Sequence, residues 1–271
     1  MNKSCQKLFG WSDPQVAIVT GASSGLGAEF SRRLAELGFS IIMVARRKEK
    51  LAELAELLNQ KYNAKVETVS ADLSTEQGIE IVNSLIKNTS NLDILINNAG
   101  FGLSGPFIQA DMKRNLGMMD LHMKALTILT RSGLEMMQPK DRGVIINVSS
   151  LASYLSIPGS ALYNATKVFV RIFTESVAKE FEKSKIVIQA LCPGFTHTGF
   201  HSTDDLSAFD KSKIPDFLWS SAEEVVSYSL KKIKSKKAVV MPGRINRLTR
   251  SLLNVPLIGG IIRSAVNKRS I

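Results

Sequence analysis

The chain has 271 residues, 44% of them hydrophobic, 22% charged, and a formal net charge of +11. That length suits one open α/β sheet with its helices, and the hydrophobic share excludes an intrinsically disordered chain. Without a run of about 18 uninterrupted apolar residues, a membrane-spanning helix is not expected.

Residues 1–15 lack an apolar stretch long enough for a signal peptide, so none is expected. The two cysteines, Cys5 and Cys192, stand far apart and in no metal-like or CxxC spacing. No metal site is expected, and free thiols in a reducing cytoplasm fit this usage. The charge is concentrated. Of 35 Lys and Arg residues, 11 lie within 231–269, and no Asp or Glu follows Glu224. The rest of the chain carries 24 basic against 24 acidic residues. The basic character belongs to the tail, and a nucleic-acid partner is not expected.

Apolar β-rich runs alternate with helical patterns along the chain. A strand is predicted at 16–20, a helix at 25–37 ending on Gly38, a strand at 40–45 and an amphipathic helix at 48–61. A strand at 66–70, a helix at 76–87 and a strand at 92–96 follow. Then come a long helix at 112–134, a strand at 144–148, a helix from about 161 to 182, and strands at 186–191 and 238–241. Strands fed by helices of this length give right-handed crossovers and a parallel sheet covered on both faces. One domain over 1–243 with a C-terminal appendage over 244–271 is the economical division.

The first strand runs into Thr20, Gly21, Ala22, Ser23, Ser24, Gly25, Leu26 and Gly27, and a helix follows. Glycines there let the chain turn tightly and let backbone N–H groups approach a pyrophosphate at a helix N-terminus. The second strand ends at Ala45, Arg46 and Arg47. An acidic residue at this place would receive a ribose 2′-hydroxyl, and arginine receives a 2′-phosphate. Two arginines favour NADP(H) over NAD(H), beside the plainer reading of a solvated helix start. Asp72, after the third strand, is placed either to accept from an adenine amino group or, like Ser74, to cap the next helix.

Further motifs complete a pattern: TGASSGLG at 20–27, ADL at 71–73, NNAG at 97–100, SS at 149–150, YNATK at 163–167 and PGFTHT at 193–198. In this order and spacing, residues 14 to about 242 resemble the short-chain dehydrogenase/reductase family. The resemblance implies a Rossmann-type doubly wound parallel sheet of about seven strands with helices on both faces, here followed by a C-terminal helical appendage. It implies NADP(H)-dependent interconversion of a ketone or aldehyde and an alcohol, with Ser150, Tyr163 and Lys167 as the catalytic core. It also implies that Gly21, Ser23, Ser24, Gly25, Leu26, Gly27, Arg46, Arg47, Asp72 and Leu73 border the cofactor. Asn98, Ala99, Gly100, Tyr163, Lys167, Pro193, Gly194, Thr196 and Thr198 belong to the same set. The family usually forms dimers or tetramers, so a homodimer or homotetramer is expected.

Tyr163 and Lys167 are four apart and share a helix face. An ammonium so near favours phenolate and is expected to lower the tyrosine pKa from about 10. That suits a general acid/base, with Ser150 placed to hydrogen-bond the reacting oxygen. The family usually has an asparagine where this chain has His122. His122 is either a proton-relay member that titrates near neutral pH or a satisfied helix histidine with no relay role.

Residues 199–219 carry Phe200, Phe209, Phe217 and Trp219 and suit a segment closing over an apolar substrate, although these aromatics fit a core equally. Phe101, Leu103, Ser156, Ile157 and Pro158 are candidates for the same cleft. No arginine is aimed clearly at a carboxylate, which favours a neutral hydrophobic carbonyl compound. A nucleotide-sugar epimerase is disfavoured by the short substrate region. A non-catalytic cofactor sensor or scaffold on the same fold is the alternative. The tail alternates basic and apolar residues. It reads either as short helices packed on a subunit or on the cleft, or as a basic amphipathic segment on an anionic membrane.

Overall fold

The computed structural model describes residues 3–202 and 214–253. Seven parallel strands form the central sheet, in the order β3-β2-β1-β4-β5-β6-β9. They are β1 (Val16–Thr20), β2 (Ser40–Ala45), β3 (Val66–Ser70), β4 (Leu92–Asn97), β5 (Val144–Val148), β6 (Val187–Leu191) and β9 (Val239–Val240). The order reverses between β1 and β4, and the crevice at that switch lies at the carboxyl ends of the strands.

The central strands are apolar without alternation because both faces are covered; β4, β5 and β6 are buried at every residue. On one face, Phe30 and Leu34 of α2 (Gly25–Glu36), Leu51 and Leu58 of α3 (Lys48–Tyr62) and Val226 and Leu230 of α8 (Ala222–Lys232) pack on Ala17, Val19, Ile41, Met43, Ile94 and Ile96. On the other face, Ile79, Val82 and Ile86 of α4 (Glu76–Lys87) and Leu129, Leu134 and Met137 of α6 (Leu126–Met137) pack on Ile18, Ile42, Val44, Leu95 and Ile145. Adjacent residues Ala17, Ile18 and Val19 thus serve opposite layers, as the pleat requires. Each such buried side chain is worth about 1.5–3 kcal/mol.

Predicted strands and helices match to within a few residues, with three differences. A short helix α1 (Lys3–Phe9) precedes β1 and buries Cys5. The predicted helix at 112–134 is α5 (Met112–Met119), a π-helical stretch Asp120–Ala125, then α6. A two-residue parallel pair, β7 (Thr196–His197) with β8 (Ser220–Ser221), lies outside the main sheet. Polar residues tie the sheet's other end together: the Asp93 carboxylate is buried and receives Arg142 at 2.7 Å and Lys140 at 3.4 Å. Cys5 and Cys192 are both buried and are not joined in a disulfide. No helix among the described residues is long and apolar enough to cross a membrane. No group of metal-ligating side chains occurs among them.

Candidate active site

The turn after β1 is held by β4. The Thr20 hydroxyl donates to the Ile96 carbonyl at 3.2 Å and accepts from the backbone N–H groups of Asn98 and Ala99, both at 3.0 Å. The Asn98 amide donates to the carbonyls of Thr20 and Gly21 at 3.0 and 3.2 Å. The turn packs so closely that a Cβ on Gly27 would press into the Gly21 carbonyl and stand 2.6 Å from Asn98 Nδ2. Asn98 is therefore a brace of the glycine turn. The side chains of Leu26 and Leu73 face the core, so these two residues offer a ligand only backbone groups.

Arg47 lies over the turn, donating to Ser23 Oγ at 2.8 Å and to Ser24 Oγ at 2.7 Å. Arg46 is exposed, 3.6 Å from Asp72 Oδ2. Asp72 Oδ1 accepts from the Ser74 hydroxyl at 2.7 Å and the Ser74 amide at 3.0 Å. Burial pushes the Asp72 carboxyl up, but those Ser74 bonds and Arg46 outweigh it and leave the pKa below the usual value. The cap of α4 is neither Asp72 nor Ser74 but Thr75, whose Oγ1 accepts from Gly78 at 3.1 Å. Asp72 Oδ2 has Arg46 as its described neighbour. A glycine cradle this tight at the mouth of the sheet's crevice fits a dinucleotide.

Across the crevice, α7 (Ala161–Glu180) carries Tyr163 and Lys167. Ser149 and Ser150 follow β5 with different roles. Ser149 is buried and donates to the Lys167 carbonyl at 2.7 Å, a structural bond. Ser150 Oγ accepts from the Ala152 amide at 3.1 Å, which leaves its proton to give, and it interacts with the Tyr163 hydroxyl. The Lys167 ammonium donates to the Val148 carbonyl at 3.1 Å and lies 5.7 Å from the centre of the Tyr163 ring.

The expected drop in the tyrosine pKa is not what this geometry gives. Burial pushes the Tyr163 phenol up to about 12, against the Ser150 contact, which favours the phenolate. Burial also pulls the Lys167 ammonium down to about 8. Desolvation dominates both shifts, so the phenol holds its proton at neutral pH.

His122 is 2% exposed, at the middle of the π-helical stretch. Burial first, and Lys167 second, hold its pKa well below 6.5, so the expected titration near neutral pH is ruled out. Its Nδ1 lies 2.9 Å from Thr166 Oγ1, while that hydroxyl donates to the Tyr163 carbonyl at 2.8 Å. Thr166 has one proton and it is committed, so the proton between it and the imidazole belongs to Nδ1. The Nε2 lone pair is buried and unpartnered. It faces Gly100, where a Cβ would stand 2.7 Å from Nε2 and 3.6 Å from Lys167 Nζ. Both nitrogens thus look into one small space. A cavity of about 10 Å³, room for about one water, is bordered by Thr20, Asn97, His122 and Lys167.

The nicotinamide-side segment follows β6. The Pro193 carbonyl accepts from Leu151 at 2.7 Å, tying it to the serine loop. Thr196 is buried and donates to the Gly194 carbonyl at 3.0 Å. Thr198 faces the glycine turn, since a Cβ on Gly25 would lie 3.2 Å from its Cβ. Of the aromatics expected over the cleft, Phe200 lies 6.1 Å from the Tyr163 ring. Trp219 instead stacks on His197 at 4.9 Å, and Phe217 is exposed. Phe209 lies outside the described residues. Phe101 is 6.3 Å from the His122 ring.

Helix α9 (Arg244–Leu253) packs beside the cleft, one of the two placements expected for short tail helices, and what sequence reasoning missed is its Asn246. This side chain is buried, donates to the Pro242 carbonyl at 2.9 Å, and lies against Gly194. Arg250 sits 5.2 Å from the Tyr154 ring, one turn beyond Ser150, and Arg171 sits 4.4 Å from the same ring. A lone asparagine among basic residues carries no motif that could have announced this. The remainder of the tail lies outside the described residues.

Fold and site together define an oxidoreductase built on a dinucleotide-binding sheet. The chain matches the family model for short chain dehydrogenases over residues 15–206 and belongs to that family. It is 31% identical over 198 residues, 73% of its own length and 85% of the relative's, to an uncharacterised oxidoreductase of Staphylococcus saprophyticus. Among solved structures it is similar to a short-chain dehydrogenase from Sphingobium yanoikuyae in complex with NADPH. That match has a TM-score of 0.81 and 28% identity, covering 92% of this chain and 96% of that one. It is also similar to a bulky-bulky ketone specific alcohol dehydrogenase from Comamonas testosteroni, with a TM-score of 0.75 and 27% identity over 89% and 92% of the two chains.

Proposed function

We propose that this oxidoreductase interconverts a ketone or aldehyde and the corresponding alcohol with NADP(H), acting on a neutral apolar substrate such as a bulky, steroid-like or keto-acyl compound. The observation that carries the reading is the convergence of Ser150, Tyr163 and Lys167 beside the glycine turn. Ser150 donates its proton to the substrate oxygen and shares the charge that develops there. Tyr163, which keeps its proton at neutral pH, gives it to that oxygen during reduction. Lys167 places positive charge beside the phenol as it gives up the proton. When bound, the nicotinamide supplies or takes the hydride. The choice of NADP(H) is supported by Arg46 and Arg47 and by the NADPH complex of the Sphingobium protein.

His122 acts in the relay as a neutral acceptor, its Nε2 lone pair holding a water that returns a proton to Tyr163 by way of Lys167. The remaining expected cofactor residues, Asn98, Ala99, Gly100, Pro193, Gly194, Thr196 and Thr198, shape the crevice on either side. Exposed Met112 and Leu116 of α5 and Val168 and Ile172 of α7 favour self-association, as a homodimer or homotetramer. The division at residue 243, a cytoplasmic setting and a tail touching a membrane from that side are parts of the same reading. A non-catalytic sensor or scaffold has no observation behind it.

The test is NADPH oxidation against a panel of apolar ketones. Turnover that needs the Tyr163 hydroxyl supports the reading, and none with any ketone or aldehyde sinks it.

A further inference from the structure

We infer that Asn246 and Arg250 of α9 are positioning residues for hydride transfer, holding the nicotinamide-side segment and the Ser150 loop in register with the catalytic helix. They act through Gly194 and Tyr154 rather than on the reacting atoms. The inference deepens the carbonyl-reductase reading above and rests on it.

Gly194 shows the first contact. Its φ is not positive, so the backbone there does not require glycine. What leaves no room for a side chain is Asn246. A Cβ on Gly194 would stand 2.6 Å from Asn246 Nδ2, 2.7 Å from Oδ1 and 2.9 Å from Cγ. Distances so alike mean that the amide lies flat on the glycine. The same amide presses on Gly243, where a Cβ would stand 2.7 Å from Nδ2. Asn246 thus fills a slot between two glycines. It is 7% exposed, and burying an amide is costly unless it is bonded. Its bond to the Pro242 carbonyl, at 2.9 Å, offsets that cost and fixes how the amide turns.

Gly194 is in turn chained to Ser150. The Pro193 carbonyl accepts from Leu151 at 2.7 Å, and Ser150 caps the short helical turn Leu151–Tyr154. The far end of that turn is the second contact. The Tyr154 ring lies 5.2 Å from the Arg250 guanidinium of α9 and 4.4 Å from that of Arg171. Arg171 follows Lys167 by four residues on α7, as Lys167 follows Tyr163, so the three share a helix face. One ring therefore joins α9 to the catalytic helix, through cation–π attraction that strengthens as the groups are desolvated. Asn246 and Arg250 are themselves four apart on α9, so one face of that helix grips both partners. Ser150 and Tyr163 must reach the same carbonyl oxygen, and the segment after β6 sets where the nicotinamide meets it. A misplacement of about 1 Å in such an arrangement costs about 10²-fold in rate.

The full chain is assayed with NADPH and a bulky apolar ketone, as wild type, Asn246→Ala, Gly194→Ala, the double variant Gly194→Ala/Asn246→Ala, Arg250→Met and Arg250→Lys. Each protein is measured well below its own melting temperature, so loss of folded protein does not enter. Asn246→Ala and Gly194→Ala are each expected to lower kcat about 10- to 100-fold with KM for the ketone nearly unchanged. In the double variant the new methyl enters the space that the amide leaves. Its kcat is expected within about threefold of Asn246→Ala, far above the product of the two losses. Arg250→Met is expected to lose about 3- to 30-fold in kcat, and Arg250→Lys, which keeps the cation, to recover most of it. A second readout is the emission of bound NADPH, which reports the surroundings of the nicotinamide. Its shift on binding is expected to be lost in Asn246→Ala at equal affinity. The inference is overturned if Asn246→Ala lowers the melting temperature but leaves kcat and emission unchanged. It is equally overturned if the two single losses multiply, or if Arg250→Lys is no better than Arg250→Met. Should the wild type bind NADPH and reduce no ketone or aldehyde, the carbonyl-reductase reading fails. The emission shift then decides alone: its loss in Asn246→Ala upholds the positioning of the nicotinamide, and its persistence overturns it.

Discussion

The Thr166 hydroxyl lies 2.9 Å from His122 Nδ1 and spends its own proton on the Tyr163 carbonyl, so the imidazole presents an unprotonated Nε2 to the space it shares with Lys167. The ring acts as an acceptor that does not titrate in the working range. His122→Leu is expected to lower kcat by about 10- to 100-fold with little change in KM. His122→Asn, which keeps an acceptor, is expected to stay within a few-fold and to show the same limbs in its pH–rate profile. Steady-state kinetics from acid to alkaline pH check both, and a limb near neutral pH lost only in His122→Asn contradicts the assignment.

The same burial has a stability consequence. The His122 pKa is held well below 6.5, so below about pH 6.5 the unfolded chain takes up a proton that the folded chain refuses. The contribution to stability is full above that pH and is lost as pH falls. Denaturant midpoints at neutral and mildly acidic pH are expected to drop more for the wild type than for His122→Asn. An equal drop removes the buried neutral imidazole from the account.

Lys167, pulled down to about 8 by burial, costs stability while charged and is retained for its chemistry. Its folded pKa lies below the unfolded value of about 10.5. The penalty is therefore complete below about pH 8 and fades as pH rises towards 10.5. Lys167→Met is expected to lose about 10²- to 10⁴-fold in kcat while melting at or above the wild-type temperature at neutral pH. Reduction by the wild type is expected to decline above about pH 8, where the ammonium is lost. A variant that melts well below wild type would make Lys167 chiefly structural.

Arg47 grips Ser23 and Ser24 beside the glycine turn, and the proposed NADP(H) reading puts the 2′-phosphate against it. Arg47→Ala is expected to raise KM for NADPH by about 10- to 100-fold, the worth of one charge-assisted phosphate contact, and to leave KM for NADH nearly unchanged. Equal losses with both cofactors would reduce the arginine to a brace of the turn.

The succession of strands and helices, the glycine turn and the shared face of Tyr163 and Lys167 were legible in the sequence because each rests on local spacing, whereas the strand order was not read and Ser150 came with the family resemblance. Apolar runs such as Val144–Val148 have no alternation only when both faces are covered, and Tyr163 and Lys167 share a face by helix geometry alone. What the sequence hid depends on distant packing. The sign of the Tyr163 shift follows from how deeply the crevice buries the phenol. The tautomer of His122 follows from Thr166, 44 positions away. The place of Asn246 against Gly194 follows from where α9 docks.

The central claim is that Tyr163 delivers the proton in an NADPH-linked carbonyl reduction, and single-turnover NADPH oxidation with a bulky apolar ketone, comparing the wild type with Tyr163→Phe, tests it most directly. The expected result is ketone-dependent oxidation by the wild type, slowed at least about 10²-fold in the variant, with NADPH binding unchanged. Equal rates in the two proteins would contradict it.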